Sequence, residues 1–142
     1  VERVVRALHR PILAVTDDFS EPQRVMVASD GGAVTRRGVE MLATSPLCRG
    51  LPILLLMSGK VSADGAKRLE RAEQRLAAAG LDVSAELVPG DAETVIAGTA
   101  RDRRIDLLVM GAFGHSPLRS LLFGSKTADL LRSSRIPTLL LR

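Results

Sequence analysis

Pro52-Ile-Leu-Leu-Leu-Met57 is apolar at every position. A strand with one wet face alternates apolar and polar residues. A run without alternation belongs to a strand covered on both faces, the central parallel strand of an α/β sheet. The same character recurs in Val25-Met-Val-Ala28, Leu107-Leu-Val-Met110 and Pro137-Thr-Leu-Leu-Leu141. Asp82–Val88 alternates instead, with Val83, Ala85 and Leu87 on one face.

Helical patterns fill the spaces between these runs. Ala33–Thr44 has helical spacing, with Val34, Gly38, Met41 and Leu42 on one side. Ala63–Ala79 is rich in Ala, Glu, Arg and Leu, and Gly80 closes it at the position just past a helix end. Gly90-Asp91 supplies a turn and an N-cap for a helix to about Arg103, and a short helix is expected from about Ser125. Alternating strands and helices give a doubly wound α/β fold. The expectation is a five-stranded parallel sheet in the order 3-2-1-4-5, with right-handed crossovers.

The chain has 142 residues, enough for one domain with a real core. Its 46% hydrophobic and 25% charged residues are ordinary for a folded domain. Only three Phe are present and no Trp or Tyr, so the core is aliphatic and a base-stacking platform is excluded. No nucleic-acid partner is expected. Net charge is +4, and the basic residues (Arg36-Arg37, Lys67-Arg68, Arg101 to Arg104) read as solvated faces. The lone Cys48 has no disulfide partner and reads as a small buried hydrophobe. No apolar stretch reaches membrane-spanning length and no signal-peptide pattern opens the chain, so a cytoplasmic protein without a membrane partner is expected. The opening Val1 fits a piece of a longer protein.

Two turns carry the chemistry. The first strand ends in Asp30-Gly31-Gly32, and the fourth runs into Gly111-Ala-Phe-Gly114, with Gly124-Ser125-Lys126-Thr127 after nine further residues. A glycine-rich loop between a strand end and a helix start brings backbone N–H groups close to phosphates. In the expected strand order the first and fourth strands are neighbours, and both turns face the crevice where the winding reverses. Neither a Walker loop nor a dinucleotide fingerprint fits: the lysine is one place late for the former and the glycine spacing wrong for the latter. No catalytic triad is legible, and two distant histidines with one cysteine make no zinc site.

With these elements in place the chain resembles the universal stress protein family. Val25 to Gly31 resembles its first strand and acidic turn, and Gly111 to Ser125 fits its G-x2-G-x9-G-[ST] signature at every fixed position. The resemblance covers about residues 24–142 and implies an adenine nucleotide α-hydrolase-like fold of the ATP-binding branch. It implies that Gly111, Gly114, Gly124 and Ser125 hold phosphates and ribose. Met110 should lie close to the nucleotide, Asp30 should reach the adenosine, Ala28 and Ser29 should flank the base, and Met57 should line the adenine pocket. His115 either contacts phosphate or faces solvent. Lys126, where the family usually has an apolar residue, either adds charge at the terminal phosphate or faces solvent. ATP is the expected ligand, with magnesium held through its phosphates. No general base is legible, so hydrolysis is expected to be slow at most. The hydrolase relatives' Ser-Gly-Gly-x-Asp loop is absent from Asp30-Gly31-Gly32-Ala33, and a second glycine where a serine is common is expected to loosen that turn.

Residues 1–23 stand apart. Arg3-Val-Val-Arg6 and Pro11-Ile-Leu-Ala-Val15 align without gaps with Asp129-Leu-Leu-Arg132 and Pro137-Thr-Leu-Leu-Leu141. They read as the last helix and strand of a preceding copy of the domain, joined by a linker at Asp17–Gln23 to a domain at 24–142. Ile12–Val15 fails as the first strand of the unit itself, because Pro22-Gln23 leads into the next strand with no crossover helix between. The last strand, 137–141, is expected at a sheet edge that seeks a partner, either a second chain as a homodimer or the leading Ile12–Val15 strand, as from a tandem domain. A protein-interaction module that binds no nucleotide is the alternative reading.

Overall fold

The structure is a computed structural model describing residues 10–18, 20–111 and 136–141. In chain order the elements are β1 (Ile12–Ala14), β2 (Val25–Ser29), α1 (Ala33–Thr44), β3 (Ile53–Gly59), α2 (Ala63–Ala78), β4 (Val83–Pro89), α3 (Ala92–Asp102), β5 (Leu107–Gly111) and β6 (Thr138–Leu141). The helix expected from about Ser125 and the leading helix at residues 3–6 lie outside the described residues.

All strands lie in one sheet in the order β1-β6-β5-β2-β3-β4. Pairing is parallel throughout except at β1, which runs antiparallel to β6 with Ile12 opposite Leu140 and Ala14 opposite Thr138. One expectation is thereby corrected and another narrowed. The sheet has six strands rather than five and is mixed, so its full order is not the expected one. Strand 137–141 is also not left as an edge: β5 flanks it on one side, and on the other lies β1, one of the two partners expected for it. The physical reason is an unpaired row of backbone groups along β6, which Ile12–Ala14 satisfies from within the same chain.

β2 and β5 are buried at every position, and β3 over Ile53–Met57. Their side chains alternate between two cores. Met26, Ala28, Leu54, Leu56, Leu108 and Met110 pack against Ala92, Ile96 and Ala100 of α3. Val25, Val27, Ile53, Leu55, Leu107 and Val109 pack against Val39 and Leu42 of α1 and Leu69 and Leu76 of α2. Cys48 is buried in this second core, and burial pushes its thiol up from the ordinary value. Thus α1 and α2 cover one face and α3 the other. Each fully buried aliphatic side chain contributes about 1.5–3 kcal/mol.

The helix ends follow from side chains near them. Ser62 Oγ accepts from Gly65 N at 3.0 Å, and Asp91 Oδ2 accepts from Thr94 N at 3.1 Å. At the N-terminal side of the sheet, Asp106 accepts from the amides of Gln23 and Arg24 at 2.9 and 2.7 Å, fixing the chain as it enters β2. α2 and α3 close with the same double hydrogen bond: Gly80 N to Ala77 O with Leu81 N to Leu76 O, and Arg104 N to Arg101 O with Ile105 N to Ala100 O. Each needs a left-handed residue. Gly80 (φ +85°) takes that conformation freely, whereas Arg104 (φ 52°) takes it against its Cβ.

Two outcomes are expected in urea denaturation. Arg104→Gly raises stability by about 0.5–1 kcal/mol by relieving the left-handed penalty. Gly38→Ala lowers it, because a Cβ there would clash with Cδ1 of the buried Leu141 and stand 3.2 Å from its Cγ. The net loss is about 1–2 kcal/mol, since overpacking outweighs the ~1 kcal/mol gained in helix propensity. Combined with Leu141→Val it should cost less than the two changes added separately.

Candidate functional site

The winding reverses between β2 and β5. The chain leaves β2 into α1 on one face and enters β5 from α3 on the other, while β2 and β5 themselves pair in parallel. In such sheets the carboxyl ends of these two strands frame the ligand crevice. The residues there are Ala28, Ser29 and Asp30 on one side, and Met110 and Gly111 on the other.

Register brings the expected residues together in pairs. Ala28 lies opposite Met110 on β5, and Ser29 opposite Met57 on β3. Their side chains divide between the two faces of the sheet. Ala28 and Met110, each 1% exposed, belong to the core under α3, whereas Met57 belongs to the core under α1 and α2. Met57 Cε lies 3.4 Å from where a Cβ on Gly31 would stand, so the methionine supports the turn from beneath. Gly111 is buried, and a Cβ built on it would meet Val34 Cγ1 at 3.4 Å, an ordinary contact. Gly111 thus stands against the first turn of α1 and closes the gap between the two strand ends. Gly114, His115, Gly124, Ser125 and Lys126 lie outside the described residues.

The turn after β2 is held by its own side chains. Ser29 Oγ accepts from Gly31 N at 3.1 Å. Asp30 Oδ1 accepts from Gly32 N and from Thr35 Oγ1, both at 2.8 Å. Thr35, a buried polar residue on α1, therefore orients the exposed Asp30 carboxylate at the rim of the crevice. Sequence reading missed Thr35; its signal was the Asp-x4-Thr spacing across a helix start. Gly31 has φ +71°, whereas Gly32 has φ −78° and ψ 176°, open to any residue. The Gly31-Gly32 pair therefore leaves a tied turn rather than the loosened one expected.

A carboxylate held by an amide and a hydroxyl is a preorganised acceptor for a ligand hydroxyl or amine. Among the described residues no group of three His, Cys, Asp or Glu is placed to hold a metal ion.

Gly31→Ala should cost about 1–2 kcal/mol, because the left-handed turn and the Arg68 side chain 3.2 Å from the new Cβ both resist it. Gly32→Ser should cost less, about 0.5–1 kcal/mol, because its backbone suits any residue and only the exposed Asp30 carboxylate, 3.0 Å from the new Cβ, must shift. Thermal denaturation of both variants checks the contrast.

Comparison with known proteins agrees with this fold. The universal stress protein family is matched over residues 8–142. The chain is 38% identical over 144 residues to universal stress protein Slr1230 of Synechocystis sp., covering 100% of this chain and 50% of that protein. It spans about half the length of the curated relatives it matches. A universal stress protein from Archaeoglobus fulgidus superposes with TM-score 0.75 at 20% identity, over 98% of this chain and 52% of its own. A universal stress protein solved in complex with cAMP superposes with TM-score 0.65 at 27% identity, over 87% of this chain and 98% of its own. On fold, family match and identity together, the chain belongs to the universal stress protein family.

Proposed function

We propose that this chain is a cytoplasmic, ATP-binding regulatory domain in which the nucleotide acts as a conformational switch of a stress response. The observation that carries the reading is the meeting of the Asp30 turn and the Met110-Gly111 strand end at the point where the winding reverses. The cAMP complex of a relative supports an adenine nucleotide as the ligand class. The adenosine would lie against the ends of β2, β3 and β5, beside Ala28, Ser29, Met57 and Met110. Asp30 would accept from the sugar or base. Gly111, Gly114, Gly124 and Ser125 would present backbone N–H groups to the phosphates, with His115 and Lys126 beside them. Magnesium would be held by the phosphates. Ordering of the 111–125 loop around the phosphates would supply the switch, since a ligand shifts a conformation only through contacts it makes in one state.

A second reading is an interaction module without nucleotide. Its support is the antiparallel β1–β6 pair, which moves the exposed edge of the sheet to β1, with Leu13 46% and Val15 56% exposed. In this reading residues 10–23 are the final strand and linker of a preceding repeat, and the β1 edge meets a tandem domain or a second chain.

Calorimetric titration with ATP and magnesium tests the two. Saturable binding is expected. It should be lost in the Gly114→Ala, Gly124→Ala double variant and weakened about tenfold in Asp30→Asn, which removes a charged acceptor while keeping an oxygen for Gly32 and Thr35. Absence of ATP binding by the unsubstituted chain, folded by circular dichroism, overturns the nucleotide reading in favour of the interaction module.

A further inference from the structure

The basic residues of α1 and α2 are largely exposed, as expected, but several of them share one groove. Arg68, Arg71 and Arg75 follow one another at i, i+3 and i+7 on α2, and so share a stripe. That stripe faces Arg36 and Glu40 of α1 across a groove of about 610 Å³ that begins at Ser29 and Gly31. The volume lies within the range of roughly 300–1,000 Å³ typical of small-molecule sites.

Four arginines and two carboxylates line the groove. Arg75 is paired, with Nε and Nη2 donating to the two Glu40 oxygens at 2.8 and 2.9 Å. The hydrogen bond first, and then the Glu40 charge, hold its guanidinium above the ordinary value. Arg68 is also paired, with Asp64 at 2.8 Å, and it reaches the Gly31 carbonyl at 3.4 Å. Between these two pairs stand Arg36 and Arg71. Neither guanidinium has a hydrogen bond or ion pair among the described residues, and both side chains are exposed. Asp64 thus pairs with Arg68 within α2 and Glu40 with Arg75 across the groove, while Arg36 and Arg71 line the same groove with no carboxylate paired to them.

We propose that Arg36 and Arg71 form a site for the phosphate monoester of a small organic molecule, in the groove between α1 and α2 that adjoins the crevice at Ser29 and Gly31. A monoester dianion neutralises both guanidinium groups, and its oxygens match their forked donors. A single carboxylate leaves one charge uncompensated. Val39 and Ala72 line the same groove and provide apolar surface for the organic part. This site does not depend on the nucleotide reading, because its four arginines belong to α1 and α2 alone.

The test follows the arginine Nε–H signals by NMR during titration with inorganic phosphate, ribose 5-phosphate and cAMP at millimolar concentrations. Ribose 5-phosphate should bind with saturable shifts at Arg36 and Arg71, and more tightly than inorganic phosphate. cAMP, a singly charged diester, should leave these signals in place. Arg36→Gln and Arg71→Gln should each weaken binding about tenfold or more, as loss of a charge-assisted hydrogen bond does, and together they should abolish it. Arg37→Gln, an exposed neighbour outside the groove, should bind as the unsubstituted chain does. Three results overturn the proposal: no saturable binding, equal weakening by Arg37→Gln, or loss in the Gly114→Ala, Gly124→Ala variant with retention in the double arginine variant. The last would assign the phosphate to the crevice.

Discussion

Two-sided burial of β2, β3 and β5 is the constraint on which the rest of the architecture depends. Strands whose odd and even side chains are both apolar must be covered on both faces, and the helices that cover them must cross over with one hand. With α1 and α2 on one face and α3 on the other, the reversal can fall only between β2 and β5. The crevice is a consequence of that reversal. The two strands' outgoing chains separate there, and a gap opens at their carboxyl ends. Side chains then refine it: Gly111 lets β5 end against Val34 of α1, and Met57 fills the space beneath Gly31.

The same logic explains the far side of the sheet. β6 carries Leu139, Leu140 and Leu141 into both cores, which makes it interior in character. An interior strand with one unpaired side would leave donors and acceptors open along an apolar ribbon, the arrangement that most invites aggregation. β1 closes it with three residues, of which Ile12 packs on the core and Leu13 turns outward. β1 is short, which limits the edge it presents in turn.

Much of this fold was legible because it is written in local period. Ala33–Thr44 could be bounded from the Gly-Gly turn before it and the serine-proline after it, and Ala63 to Gly80 from its composition and closing glycine. The five parallel strands were each visible as apolar or alternating runs. The sixth strand was seen as apolar and as one of two candidate partners for strand 137–141, but its antiparallel direction and its register were not seen. Pairing between residues 12–14 and 138–140 joins opposite ends of the chain, and no local pattern encodes so distant a register. In α1 the buried set is Thr35, Gly38, Val39 and Leu42, one position displaced from the side marked by Val34 and Met41. A tethered polar Thr35 stands where periodicity would put an apolar residue, and it is the Asp30 hydrogen bond that makes its burial tolerable.

The sites differ in legibility for a related reason. The crevice could be anticipated because its residues end strands, and strand ends are marked in sequence by Asp, Gly and Ser. The grouping of the arginines was not legible because each helix, taken alone, is an ordinary amphipathic segment with exposed cations outward. Arg36 and Glu40 sit one turn apart on α1, and Arg68, Arg71 and Arg75 run along α2, with nothing in either segment to say that the two stripes face each other. That is decided by the parallel packing of α1 against α2, visible in the Arg75–Glu40 pair at one end and the Arg68–Gly31 contact at the other. Those contacts set the register of the two helices, and the register leaves Arg36 and Arg71 between them without a carboxylate. Exposed ion pairs of this kind contribute little to stability. The arrangement is therefore poorly explained as a device for holding the helices together, which the apolar contacts of Val39, Leu42, Leu69 and Leu76 already do.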